Sequence, residues 1–248
     1  MSAMLQACLN GDRLRSGHPA VPITAGELAR DAAAVVRAGA RELHVHPRGV
    51  DGMESLQPDD TAAAIRAIRL AVPNVPVGLS TRSPIRPGGR ARHALMRAWT
   101  VLPDYVSVNL IEEDAPQIVA MMLEKGIGVE AGVWSAADAA RFVALPEAGG
   151  CLRVLIEINE QGIAEGLKAT QDICDILDAA RSPLPRLLHG CDATMWTIYR
   201  EALQRGLDAR IGLEDGLVLP NGEQAADNAA LISAASAIAS ATKQSTAG

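Results

Sequence analysis

Short apolar runs alternate with longer stretches of helical periodicity along the whole chain. Met4–Asn10 is the first such run. A helix follows, opened by Thr24 with Glu27 three positions on, the reciprocal arrangement that satisfies backbone donors of a first turn. Leu28, Ala32, Val35 and Val36 give it one apolar face, and Gly39 suits its C-terminal stop. The second run, Glu42–His46, begins at once, and the unit then repeats. Pro58 opens a helix with Ile65, Ile68 and Val72 on one side, and Val75–Ser80 follows as a strand. A helix from about Arg90 to Thr100 precedes the strand Tyr105–Leu110. Pro116 suits the first turn of the next helix, which stops at Gly126, and Ile127–Glu130 is the fifth strand. Ser135 and Asp138 open another helix. Leu152–Ile158, Arg186–His189 and Ala209–Leu213 are the remaining strands, separated by a helix carrying Ile173, Ile176 and Leu177 and one over Thr194–Gln204. An Ala-rich helix over Gln224–Thr242 comes last, and Lys243–Gly248 reads as a frayed tail.

Strands poor in charge are expected where both faces of a sheet are covered. Eight strand–helix units without a linker predict an α/β protein, a (β/α)8 TIM barrel forming one domain over residues 1–242 with a flexible tail at 243–248. The competing architecture is a doubly wound open sheet. Its dinucleotide fingerprint is missing from the first strand–helix turn, Leu9-Asn10-Gly11-Asp12-Arg13, and no phosphate loop of the Gly-x-x-x-x-Gly-Lys-Ser/Thr type occurs.

Composition narrows the function classes. The 248 residues suffice for one large domain, and 48% of them are hydrophobic, which excludes general disorder. Rings are scarce: Trp99, Trp134, Trp196, Tyr105, Tyr199 and Phe142 are all of them. A net charge of −6 and this shortage of stacking groups argue against a nucleic-acid groove. No apolar run reaches the ~18 residues of a membrane span, and the N-terminus lacks a basic segment before an apolar one, so neither membrane nor secretion is expected. Cys8, Cys151, Cys174 and Cys191 are scattered without metal-type spacing, which fits reduced thiols in a cytoplasmic protein.

In such a barrel the chemistry lies at the C-terminal strand ends. Asn10, His44, His46, Ser80, Thr81, Ser107, Asn109, Glu130, Glu157, Asn159, His189, Glu214 and Asp215 fall there. His44 and His46, two apart on a strand, face one way and offer half a site for a divalent metal. Zn2+ is the first candidate, because catalytic zinc often takes two His and one carboxylate. Glu214 is the expected third ligand, since strands two and eight share a layer of the interior. The alternative is two histidines bonded to neighbouring loops. Arg210, four residues before Glu214, should also face inward, paired with an acid or meeting an anionic ligand. Asp215 either reaches the pocket or caps the next segment. His189 is placed to touch ligand, a metal-bound water or a catalytic acid. His18 reads as structural and His93 as a surface residue, and Cys191 lacks an obvious base partner.

Three segments then carry a family resemblance: Arg41-Glu-Leu-His-Val-His-Pro-Arg48, Val77-Gly-Leu-Ser-Thr81 and Arg210-Ile-Gly-Leu-Glu-Asp-Gly216, with Gly128-Val-Glu130 as a weaker fourth. Together they resemble the β-keto acid cleavage enzymes, over nearly the whole chain. The resemblance implies a zinc-dependent (β/α)8 enzyme that converts a β-keto acid and acetyl-CoA into acetoacetate and a new acyl-CoA. It implies His44, His46 and Glu214 as metal ligands, and Asp215 as general base with Arg210 beside it. Ser80 and Glu130 would be pocket residues, Glu130 among the catalytic ones. From their places at the strand ends and mouth, Asn10, Asn109, Arg82 and His189 are further expected substrate contacts. The resemblance also suggests a homo-oligomer.

Two departures bear on the substrate. Arg82-Ser83 stands where relatives often carry Gly-Gly, so a cation enters the mouth, facing a substrate tail, a CoA phosphate or solvent. Arg13 occupies the region where an acid would hold an amino group, which favours a neutral or anionic β-keto acid. The stretch Arg82–Arg92 is either a basic surface loop or a CoA-phosphate contact. Two other readings stay open: an amidohydrolase-type metal hydrolase, which would carry His-x-His on the first strand, and a non-catalytic barrel binding a metal or small acid.

Overall fold

In the computed structural model eight parallel strands close on themselves in chain order. It describes the backbone of residues 3–246 and the side chains of residues 3–242. The strands are β1 (Leu5–Cys8), β2 (Glu42–Val45), β3 (Val77–Ser80), β4 (Tyr105–Asn109), β5 (Gly128–Val133), β6 (Arg153–Ile158), β7 (Arg186–Gly190) and β8 (Asp208–Ile211). The helices are α1 (Ala25–Ala38), α2 (Pro58–Ala71), α3 (Arg92–Arg97), α4 (Ala115–Glu124), α5 (Ala136–Val143), α6 (Ile163–Ala179), α7 (Met195–Arg205) and α8 (Asn228–Thr246). β8 pairs with β1 through Leu5 opposite Ala209 and Ala7 opposite Ile211, so the sheet has no free edge. This is the (β/α)8 barrel that the strand–helix alternation predicts. Of the expected tail at 243–248, residues 243–246 instead continue α8, and 247–248 lie outside the described residues. None of the described helices is long and apolar enough to cross a membrane.

Local chemistry explains the elements. Thr24 accepts from the Glu27 amide while the Glu27 carboxylate takes the Thr24 amide, so α1 opens on the expected capping box. Ser135 caps α5 through the Asp138 amide. Leu28, Ala32 and Val35 bury the inner face of α1, and Ile65 and Ile68 that of α2. The region of the third helix departs from expectation. A 3-10 turn at Gly89–Ala91 precedes a helix of one and a half turns, because Arg92 is buried there. Its guanidinium donates to the Thr81 and Gly89 carbonyls and to Glu112 and Asp114. His93, expected at the surface, is buried and bonded to Asp114 at 2.7 Å. Two arginines of this segment, Arg86 and Arg90, do face solvent. His18 is structural as expected, its Nε2 lying 2.8 Å from the Ala225 carbonyl.

The barrel interior is polar at its lower level as well as at its mouth. Glu130 on β5 is fully buried, accepting from Gln6 at 2.8 Å and from Arg153 at 2.9 Å, and Arg153 also pairs with Glu42. A charge taken out of water needs such partners. Tyr105 completes the layer, donating to the Leu43 carbonyl at 2.7 Å and accepting from Gln6 at 2.9 Å. Its ring occupies the space over Gly78, where a Cβ would lie 1.9 Å from a ring carbon. That contact is why the third strand carries glycine at a core position.

Asp31 on α1 supplies a pH dependence of stability. Burial and the nearby Asp227 push its carboxyl up to about 7, against a hydrogen bond from Asn228. An unfolded aspartate titrates near ~3.9. Folding therefore favours the protonated form, and this group's stabilising contribution is complete below about pH 4 and is lost as pH rises through 7. The expected loss from this group between pH 4 and pH 8 is about 4 kcal/mol. Asp31→Asn should flatten that part of the profile. Urea denaturation of both proteins at several pH values checks it, and parallel profiles would refute the assignment.

Candidate active site

A cavity of about 590 Å3 opens at the C-terminal end of the barrel. His44, His46, Arg210, Glu214 and Asp215 line one side of it, and Ser80, Arg82, Ser107 and Asn109 line it from β3 and β4. Asp12, Arg13, Glu112, Trp134 and Asp192 reach it from the loops.

His44 stands within β2, and His46 lies just past its end. Glu214 is not a strand residue as the spacing predicts. β8 ends at Ile211, and a turn held by the Asp215 and Gly216 amides on the Gly212 carbonyl carries Glu214 and Asp215 inward together. Glu214 therefore lies where parity with β2 predicts, but because of this turn and not of a strand register, and the parity of Asp215 has no bearing. Gly11 makes room for this turn. It has φ +53°, and a Cβ there would come 2.5 Å from Cγ of Glu214.

The Nε2 atoms of His44 and His46 lie 3.2 Å apart. Glu214 Oε1 is 3.9 Å from the first and 3.3 Å from the second. Behind His46, Nδ1 meets Glu54 Oε1 at 2.6 Å, which fixes the ring and directs Nε2 at the convergence point. Burial drives the His44 pKa well below the ordinary value. His46 is pushed up to about 9, because the carboxylates of Glu214 and Glu54 outweigh the burial that opposes it. Glu214 is held well below the usual carboxylate range by Arg210, His46 and His44 despite its burial. His44 Nδ1 and Glu214 Oε2 are buried without a hydrogen-bond partner. Two imidazole nitrogens and a carboxylate oxygen, all within 4.8 Å of one another, are a donor set that suits a divalent cation of the zinc type.

Asp215 sits beside this triad. Arg210 holds it by a fork, NH2 to Oδ1 at 3.0 Å and Nε to Oδ2 at 3.3 Å, and also reaches Glu214 Oε1 at 2.7 Å. The Cys8 thiol donates to Oδ2 at 2.9 Å. Arg210 and His189 bring the Asp215 carboxyl down to about 2, against burial. A carboxylate pinned by a guanidinium fork at the wall of a cavity is ionised and fixed in orientation.

Other expected site residues lie elsewhere. Glu130 does not line the cavity, because Gln6 and Arg153 claim it a layer below. Asn10 is fully buried and spends its amide on the backbone, accepting from the His46 amide and donating to the His46 and Pro22 carbonyls. It orders the backbone at the end of β2 and does not line the cavity. His189 is fully buried behind Asp215, with Nδ1 3.3 Å from Asp215 Oδ2 and Nε2 3.3 Å from Glu157. Asp215 raises its pKa well above the ordinary value against burial. Cys191 lines the cavity, but burial raises its thiol pKa, so it is a poor nucleophile. Arg82 faces the cavity, with NH1 bonded to the exposed Asp12 at 2.8 Å and Nε 3.9 Å from Glu54. Arg13 is tied to the Glu214 carbonyl at 3.0 Å and to Asp192 at 2.6 Å. Glu54 and Cys8 were not singled out from sequence. Glu54 lies in the irregular β2–α2 loop, where no periodicity marks it, and Cys8 is one more apolar residue of a buried strand.

A profile of the beta-keto acid cleavage enzyme family matches residues 2–248. A 3-oxoadipate:acetyl-CoA acetyltransferase of Cupriavidus necator is 28% identical over 241 residues, covering 89% of this chain and 82% of that protein. Among solved structures, a ternary complex of ObcA with a C4-CoA adduct and oxalate superposes with a TM-score of 0.74 at 18% identity, over 91% of this chain and 65% of that one. ObcA with oxaloacetate gives 0.69 at 18% identity, over 87% of this chain and 62% of that one. The chain thus spans less than two thirds of the ObcA length, and at this identity the likeness is one of fold. The barrel, the cavity at its C-terminal mouth and a profile match along virtually its full length agree, and the chain is an enzyme of the beta-keto acid cleavage enzyme family.

Proposed function

We propose that this enzyme converts a β-keto acid and acetyl-CoA into acetoacetate and a new acyl-CoA, with a divalent metal held by His44, His46 and Glu214. One observation carries the reading: the three ligand atoms converge beside an Asp215 carboxylate that Arg210 pins at the wall of the same cavity. A cation held there supplies Lewis-acid polarisation of the keto and carboxylate oxygens.

The chain's own residues do the rest. Asp215 takes a proton from C2 of the keto acid, and Arg210 keeps the carboxylate aimed during the transfer. The C2 carbanion attacks the acetyl carbonyl, and the carbon–sulfur bond breaks to free CoA thiolate. That thiolate adds to the original ketone. The bond between C2 and the former keto carbon breaks, giving the new acyl-CoA and the acetoacetate enolate, which recovers the proton from Asp215. Ser80, Ser107 and Asn109 offer neutral hydrogen bonds to the oxygens that gain charge.

Arg82 favours a substrate with an anionic far end. It is a cavity cation whose one hydrogen bond from the guanidinium goes to Asp12, an exposed residue free to turn to water. Nε and NH2 remain as donors for a planar carboxylate. The name of the Cupriavidus necator relative, which pairs a dicarboxylic keto acid with acetyl-CoA, supports the same choice.

The test is to incubate zinc-loaded protein with acetyl-CoA and a panel of β-keto acids, and to follow acetoacetate and acyl-CoA together. Stoichiometric formation of both, strictly dependent on acetyl-CoA and fastest with dicarboxylic keto acids, is expected. Acid release without acetyl-CoA would indicate a hydrolase. No turnover across the panel would leave a binding barrel.

A further inference from the structure

The elements that bear the metal ligands stop short of them. β2 ends at Val45 and β8 at Ile211, so His46 and Glu214 stand beyond the strand ladder, Glu214 keeping only a long amide bond of 3.4 Å to the Cys8 carbonyl of β1. β1, which lies between them, ends at Cys8. Two side-chain amides take over where the ladder stops. Asn10 bonds both the amide and the carbonyl of His46, as a neighbouring strand would. Asn228, at the start of α8, does the corresponding work on the other flank.

Asn228 is fully buried and makes three bonds. Its Oδ1 accepts from the Leu213 amide at 2.6 Å. Its Nδ2 donates to the Leu9 carbonyl at 2.8 Å and to Asp31 Oδ2 at 2.6 Å. One amide group therefore ties the end of β1 to the residue immediately before Glu214. Asp31, on the outer face of the barrel in α1, fixes which way the amide points, because its carboxylate accepts only from the Nδ2 side. Neither Asn228 nor Asp31 lines the cavity.

We infer that Asn228 is a positioning residue, oriented by Asp31, that sets the Gly212–Asp215 turn and so brings Glu214 to His44 and His46 and Asp215 to the substrate. The metal part of this inference rests on the reading given under Proposed function. Ligand geometry held by outer partners commonly costs about 10- to 100-fold in metal affinity when a partner is removed.

Asn228→Ala, Asp31→Ala and the conservative Asp31→Asn separate positioning from bulk stability. A destabilised reference, Ile173→Val in α6, is remote from the turn. Three quantities are read: zinc affinity by competition with a chelator, thermal midpoint, and hydrogen exchange of the Leu213 amide in metal-free protein. Asn228→Ala should weaken zinc about 10- to 100-fold, lower kcat more than it raises KM, and speed Leu213 exchange beyond what its stability loss accounts for. Asp31→Ala should do the same to a smaller degree. Asp31→Asn should keep wild-type zinc affinity and Leu213 exchange even where its thermal midpoint shifts through the loss of the titrating carboxyl, since its side-chain oxygen still accepts from Asn228. Zinc affinity and Leu213 exchange that track thermal midpoint alone, as in Ile173→Val, would overturn the inference. Should Asn228→Ala fail to fold, the two Asp31 variants decide it. A wild-type protein that takes up no zinc would refute the metal reading, and the Leu213 exchange would still decide whether the clamp exists.

Discussion

Glu214→Ala is expected to leave a folded barrel that no longer retains metal. Wild-type protein loaded with zinc and dialysed should keep about one ion per chain, as one three-ligand site implies. The variant should keep none, with an affinity at least about 10³-fold weaker in a chelator competition. The fold should survive because Arg210, the buried cation that Glu214 meets, keeps its fork to Asp215. His46 keeps Glu54 as a partner for the same reason. Glu214→Gln is the sharper variant, since it preserves shape and a neutral oxygen and removes only charge. A Glu214→Ala protein that holds zinc as tightly as wild type would show that the ligand set is drawn wrongly, with the cluster of His189, Cys191 and Asp215 as the place to look next.

The sequence made most of the frame legible because barrel strands and helices announce themselves locally. Capping at Thr24 and Ser135, the apolar stripes of α1 and α2, and the terminating glycines are all short-range signals. His44 and His46 were legible for the same reason, as two identical polar residues at and just past the end of a strand where Leu43 and Val45 are buried and apolar. Glu214 is reached by strand parity, whereas Asp215 stays undecided on spacing until the resemblance makes it the expected base. Strand parity has no hold on a residue beyond the last ladder bond, and the turn that carries both is set by Gly11, Gly212 and the Asn228 amide.

The misplacements share one cause. Glu130, Asn10 and His189 are polar residues at or near strand ends, and sequence position says nothing of how deep a side chain points or which partner claims it first. Arg153, one strand over from Glu130, captures it below the site. Asn10 is consumed by backbone left unpaired past β2, a need visible only once strand ends are known. Arg92 and His93 look like surface groups in a basic loop, yet Glu112 and Asp114, from the loop after β4, draw both inside.

Asp215→Asn should abolish most of the chemistry without touching metal content. Both oxygens accept from Arg210, and Oδ2 also takes the Cys8 thiol. An asparagine must present its NH2 to a guanidinium or a thiol donor, so the variant loses the base and gains an unfavourable donor–donor contact. The amide cannot take a proton from C2. A kcat lower by about 10³-fold is expected, in the range that removal of a general base produces, with about one zinc still bound per chain. One measurement isolates the step: exchange of C2 protons of a β-keto acid into deuterated water in the absence of acetyl-CoA. Wild-type enzyme should speed that exchange well above the spontaneous rate, and Asp215→Asn should not. If the variant exchanges C2 protons as fast as wild type while turnover collapses, Asp215 acts after proton removal, and its fork with Arg210 must serve the oxyanion steps of acyl transfer instead.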